Sequence, residues 1–288
     1  MQIHHQIAEL QQQLRGWRCA GKRIGFVPTM GNLHAGHLSL IERARASADI
    51  VLSSIFVNPT QFGAGEDFSR YPRTLAADCT LLREAGCDAV LAPSVEEMYP
   101  EGADLRTVVR VDGLHDILCG AFRPSHFDGV ATVVAKLFNL AQPDLAVFGE
   151  KDYQQFLVVK RMARELSFPI EIIGAPTARE ANGLAMSSRN QYLTADERQQ
   201  ASLLFRTLLA TRKALLTGAL DFQVLCEAAL AELREAGFRP DYFEIRRAAD
   251  LAAPGPADRD LVVLVAARLG AARLIDNVRV VTPDVPSV

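Results

Sequence analysis

One pattern constrains this chain more than any other. Between about residues 23 and 176, short runs of Val, Ile and Phe alternate with segments of helical period. Runs at 23–27, 49–57, 88–92, 107–111, 144–148 and 169–173 read as strands. Between them Leu38, Ile41, Ala44 and Arg45 recur at a spacing of three to four, and so do Val130, Val133, Val134, Leu137 and Phe138. Phe156, Val159, Met162 and Ala163 repeat it. Alternating strands and helices predict βαβ units, hence a parallel sheet with both faces covered. Right-handed crossovers then give a Rossmann-like, doubly wound α/β sheet.

The pattern changes near residue 176. A turn with Pro176, Asn182 and Gly183 leads to helical stretches at 195–216 and 222–236. Strand-like runs follow at 242–246, 261–267 and 273–276, with a turn-rich stretch at 252–258. Helices followed by consecutive strands predict a smaller α+β C-terminal domain. The expected division is 1–176, a nucleotide- and substrate-binding domain, and 177–288, a smaller lid domain. A length of 288 residues is in keeping with two domains.

Composition removes several classes. The net charge is −3 and no Lys/Arg stripe stands out, which argues against a nucleic-acid binder. The five cysteines are irregularly spaced, without a C-x-x-C pair, and read as reduced thiols of a cytoplasmic protein. The longest apolar run, 261–267, is too short to span a bilayer, so no membrane partner is expected. Gly16, Gly21 and Lys22 approach a Walker A loop, but Arg23 stands where Ser or Thr would bind magnesium, and the segment precedes a strand.

The chemistry-bearing feature follows the first strand of the alternating region. Pro28-Thr29-Met30-Gly31-Asn32-Leu33-His34-Ala35-Gly36-His37 runs from strand into helix. Backbone N–H groups and the helix dipole at such a junction favour an anion. His34 and His37 are three apart and share a face of the first helical turn. Neutral imidazole there can donate a hydrogen bond to a phosphoryl oxygen, the geometry wanted for charge developing on an α-phosphate. Taken alone, the pair can equally cap a loop.

His34-Ala35-Gly36-His37 resembles the HIGH signature of the nucleotidylyltransferase and class I aminoacyl-tRNA synthetase superfamily. The words Phe56-Val57-Asn58-Pro59-Thr60-Gln61-Phe62, Phe148-Gly149-Glu150-Lys151-Asp152-Tyr153-Gln154-Gln155 and Met186-Ser187-Ser188-Arg189-Asn190 extend the likeness. In that order, over about residues 1 to 280, the chain resembles the pantothenate synthetase family. The resemblance implies an ATP-dependent ligase that joins (R)-pantoate to β-alanine through a pantoyl adenylate, releasing AMP and pyrophosphate. It also implies a homodimer and magnesium.

Carried over position by position, the resemblance puts Met30, Gly31, Asn32, Leu33, His34, Ala35, Gly36 and His37 at the ATP site. Gly149, Glu150, Lys151 and Asp152 join them, as do Met186, Ser187, Ser188 and Arg189. His37, His34, Lys151 and Arg189 are the expected catalytic groups. Gln61, Gln155 and Asn58 are assigned to the pantoate/β-alanine pocket, and Asp78 to the neighbourhood of Mg2+. Arg123 and His126 are pocket or structural candidates. Ser125 stands where the family usually has glycine; if its φ is positive, it carries about 1 kcal/mol of strain.

Overall fold

A computed structural model describes residues 1–63, 65–66 and 68–282. The first part of the chain runs β1 (Gln2–His4), α1 (Ile7–Cys19), β2 (Ile24–Thr29), α2 (Ala35–Arg45) and β3 (Ile50–Ile55). It continues through α3 (Leu75–Glu84), β4 (Ala89–Leu91) and the short α4 (Val95–Met98) and α5 (Cys119–Phe122). Then come α6 (His126–Ala141), β5 (Leu145–Gly149), α7 (Tyr153–Glu165) and β6 (Glu171–Ala175). The later part holds α8 (Ala195–Gln200), α9 (Leu203–Leu216), α10 (Phe222–Glu235), β7 (Arg239–Arg247), β8 (Asp260–Leu269) and β9 (Ala272–Val281).

The chain divides into two compact units. The first is Met1–Glu150 with Gln155–Pro176; the second is Lys151–Gln154 with the chain from Thr177 onward. In the first, six parallel strands pair in the order β1-β4-β3-β2-β5-β6. From β2 the chain builds outward to β3 and β4 on one side, and from β5 to β6 on the other. The order therefore reverses between β2 and β5, and in open α/β sheets ligands bind outside the C-terminal strand ends at that switch point. Val27, Val51, Val90, Leu145 and Val147 are buried against Ile41 and Ala44 of α2 and Leu82 of α3. Strands covered on both faces read as continuous apolar runs, which is why they were legible.

The second unit carries the antiparallel sheet β7-β8-β9. Its core packs Val263, Val265 and Ala267 of β8 with Leu204 and Leu208 of α9 and Leu233 of α10.

Three differences from the sequence reading have physical causes. First, residues 107–111 form no strand. Val109 N–H donates to Thr132 Oγ1 (2.9 Å), and Arg110 forks onto Asp128 (2.7 and 3.1 Å), so side chains of α6 satisfy a segment with an alternating look. Second, the N-terminal Gln2–His4 is a strand, paired with Ala89–Leu91. Third, the helix read over 195–216 breaks at Ala201 and Ser202. There the Ser202 hydroxyl donates back to the Gln199 carbonyl at 2.7 Å, a competitor of the helical pattern. Lys151–Gln154 groups with the second unit.

Candidate functional site

The loop after β2 is shaped by backbone geometry. Gly31 (φ 82°) and Asn32 (φ 51°) are consecutive left-handed residues. Glycine is required at 31 twice over: for that φ, and because an added Cβ would stand 3.0 Å from Asp78 Oδ2 and 3.1 Å from Ile55 Cγ2. Thr29 Oγ1 donates to the Ser54 carbonyl (2.7 Å) and accepts from Gly31 N–H (3.2 Å), which ties the loop's entry to β3.

His34 then caps α2. Its Nδ1 accepts from Gly36 N–H (3.2 Å), while His37 Nδ1 accepts from the backbone N–H of His34 (3.3 Å). This is a capping box built from two histidines. The geometry assigns their tautomers. With Nδ1 accepting in both rings, each neutral imidazole carries its proton on Nε2. The rings lie 4.1 Å apart, centroid to centroid, so the two Nε2–H donors belong to one patch at the start of α2.

At the end of β3 a 3-10 turn, Pro59–Gln61, carries Gln61. Asn58 precedes it and is 1% exposed. Its Oδ1 accepts from Tyr99 Oη–H (2.8 Å), Thr60 Oγ1 (3.1 Å) and Thr60 N–H (3.3 Å), and its amide donates to the Gly129 carbonyl (3.2 Å). Asn58 therefore shapes the turn from inside. The other side of the turn is braced from α6. His126 Nδ1 donates to the Gln61 carbonyl (2.8 Å), and Arg123 donates to the same oxygen (3.4 Å) and to His126 Nε2 (3.0 Å). Arg123 also forks onto Glu66 at 2.7 and 2.6 Å. Burial raises the Glu66 pKa, but the Arg123 hydrogen bonds and charge outweigh it and hold the carboxyl below its ordinary value. The two candidates left open as pocket or structural are thus placed on the backbone of Gln61.

β5 ends at Gly149, where an added Cβ would meet only Leu40 Cδ2 at 3.9 Å. Among the described residues, no close packing demands glycine there. Glu150 lies beside Gly174, whose missing side chain leaves it room. Gln155 is half-buried on α7.

In the second unit, Lys151 is half-buried with Nζ 3.7 Å from Asp152 Oδ2. Its carbonyl accepts from Asn277 Nδ2 (3.0 Å), and Tyr153 Oη–H donates to the Ala248 carbonyl (2.9 Å). Met186, Ser187, Ser188 and Arg189 are all half-buried and enter a 3-10 turn, Ser188–Tyr192, in which Ser187 Oγ accepts from Arg189 N–H (3.2 Å). Asn190 anchors the turn by donating to Glu180 (2.9 Å) and to the Ala185 carbonyl (3.0 Å).

Asp78, assigned to the magnesium neighbourhood, is 1% exposed, and its carboxylate accepts from Asn32 N–H, Leu33 N–H and Thr74 Oγ1 (3.0, 2.8 and 3.0 Å). Both of its oxygens thus accept from the protein's own chain. Among the described residues, no group of three His, Cys, Asp or Glu side chains is placed to hold a metal. Sequence reasoning missed Tyr99, Glu66 and Asn277. Each acts across 41 residues or more in the chain, and no local spacing signals that.

A Rossmann-like sheet whose switch point opens on H-x-G-H at a helix start defines a class, the HIGH-motif α/β superfamily. Within it, the family model described as pantoate-beta-alanine ligase matches residues 2–279. The pantothenate synthetase of Pseudomonas putida (strain W619) is 56% identical over 274 residues, 95% of this chain and 96% of that protein. The crystal structure of pantothenate synthetase from Thermus thermophilus superposes with a TM-score of 0.91 at 49% identity, covering 98% of this chain and 100% of that one. The pantoate-beta-alanine ligase of Francisella tularensis, solved in complex with beta-gamma ATP and beta-alanine, gives 0.81 at 33% identity over 96% and 97%. This chain belongs to the pantoate–β-alanine ligase family.

Proposed function

We propose that this protein condenses (R)-pantoate with β-alanine at the expense of ATP, yielding pantothenate, AMP and pyrophosphate. The observation that carries the proposal is the histidine pair at the β2–α2 junction, each Nδ1 facing a backbone N–H, beside the switch point of a sheet of this family.

In the first step a carboxylate oxygen of pantoate attacks the α-phosphorus of ATP, the bond to the β-phosphate oxygen breaks, and pyrophosphate leaves. A carboxylate is nucleophilic at neutral pH, so positioning and charge stabilisation do the work. His34 and His37 donate to the α-phosphoryl oxygens from Nε2. Lys151, with Ser187, Ser188 and Arg189, is assigned to the remaining phosphate charge. Residues Met30 to Gly36, with Gly149, Glu150, Asp152 and Met186, line the nucleotide. Gln61 and Gln155 hold pantoate, and Asn58 holds the Gln61 turn. In the second step the amine of β-alanine attacks the acyl carbon, AMP leaves and the amide forms. No covalent enzyme intermediate is needed. Burial pushes the Cys87 thiol up to about 12 and the Cys226 thiol up to about 11, far from a reactive thiolate.

Magnesium enters this reading as the counter-ion that ATP brings with it, and no step is assigned to a protein-bound metal. The protein acts as a homodimer in the cytoplasm; among the described residues no helix is long and apolar enough to cross a membrane. The test is an omission assay. With ATP, pantoate and β-alanine all present, AMP and the amide should form in equal amounts, and leaving out any one should stop both. A product that retains the nucleotide would instead make the protein a nucleotidylyltransferase.

A further inference from the structure

Asp78 is the buried carboxylate for which the reaction above has no use. Its two oxygens bind successive backbone amides of the loop before the histidine pair. Oδ2 takes Asn32 N–H (3.0 Å) and Oδ1 takes Leu33 N–H (2.8 Å). The Thr74 hydroxyl, donating to Oδ2 at 3.0 Å, fixes the carboxylate's rotation from its own helix. After the left-handed Gly31 and Asn32, the successive N–H groups of Asn32 and Leu33 both meet the one carboxylate. The neighbouring amides continue the chain of contacts. Leu33 N–H is held by Asp78, and the very next one, His34 N–H, is held by His37 Nδ1.

We infer that Asp78 is the positioning residue of the histidine pair: a carboxylate clamp on the Asn32 and Leu33 amides that fixes where α2 begins and so where His34 and His37 point. The contacts themselves favour this role: the carboxylate is buried, and both of its oxygens accept from the protein's own loop and helix. The clamp rests on the proposed function only in assigning the histidines to phosphate.

Asp78→Ala and Asp78→Asn test it on the intact protein. Amide exchange at Asn32 and Leu33, and histidine-ring nitrogen spectra, are read alongside kinetics. In Asp78→Ala the two amides should lose at least about tenfold of their protection, and the rings should leave the single Nε2–H form. The turnover number should fall about tenfold to a hundredfold, as for a displacement of about an ångström at reacting groups. The Mg2+ concentration for half-maximal rate should stay unchanged. Asn keeps one acceptor oxygen, so Asp78→Asn should regain part of the turnover and of the amide protection; if the alanine variant does not fold, this variant decides alone. A variant whose turnover returns to normal at tenfold higher Mg2+ would overturn the clamp in favour of a metal ligand. A folded variant with unaltered ring spectra and amide exchange would overturn it as well. Should the unmutated protein fail the omission assay, the functional reading falls, while exchange and ring spectra still judge the clamp.

Discussion

His37 shows what a single residue can and cannot reveal in a sequence. Its motif is local, so the sequence alone displays it. The tautomer is not local information: it follows from the His34 N–H donating to Nδ1, which only the folded turn supplies. Replacing His37 with Ala removes an Nε2–H donor and should cost about 2–4 kcal/mol of transition-state stabilisation, roughly a hundredfold in rate or more. Pantoate-dependent exchange of pyrophosphate into ATP measures this, and near-normal exchange would refute the role. Glu66 makes a second residue-scale prediction. Its carboxyl is held below its ordinary value by Arg123 in spite of burial. A group depressed on folding stabilises the protein above its unfolded-state value and stops doing so as pH falls through its folded-state value. The urea midpoint of Glu66→Gln should thus lie below that of the unmutated protein at pH 7, and the two should converge as the solution is acidified below the ordinary carboxylate range. A gap of constant size across that range would contradict the pairing.

At the scale of elements, α6 carries two of the sharper constraints. Its N-cap, Ser125, sits at φ 66° and makes no side-chain capping bond. The strain expected of serine there is therefore uncompensated, and Ser125→Gly should stabilise the protein by about 1 kcal/mol, read as a higher denaturation midpoint. One turn on, Gly129 lies against the Gln61 turn, and a Cβ there would stand 2.2 Å from the Thr60 carbonyl oxygen. Gly129→Ala should push the turn outward, destabilise the protein by about 1–3 kcal/mol and raise the KM for pantoate; an unchanged KM would remove the turn from the pantoate pocket. Elements that bury both faces were readable because hydrophobic period is local. β1 was not, since the three residues of Gln2–His4 become a strand only by pairing with Ala89–Leu91. The 107–111 run misled for the converse reason: it alternates like a strand, but Thr132 and Asp128 take its polar groups.

At the scale of the whole molecule, the parallel α/β class was legible and the strand order was not. Order depends on which crossover lies on which side of β2, and no residue type encodes that. Yet the order sets the function, because its reversal between β2 and β5 gathers the histidine loop and Gly149 at adjacent strand ends. The near-neutral charge of the chain also takes on meaning here, since a single nucleotide needs only a few local donors. Lys151 marks the limit of reading a chain linearly. It follows β5 in sequence but is fastened by its carbonyl to Asn277 of β9, within the second unit.

The central claim is that carboxylate oxygen is transferred to the α-phosphorus, and one isotope measurement reaches it directly. Pantoate labelled with 18O in its carboxylate is turned over with ATP and β-alanine, and the products are weighed by mass spectrometry. One 18O should appear in AMP and none in pyrophosphate, because the attacking oxygen stays on phosphorus when the amide forms. Unlabelled AMP, or label released in inorganic phosphate together with ADP, would contradict it.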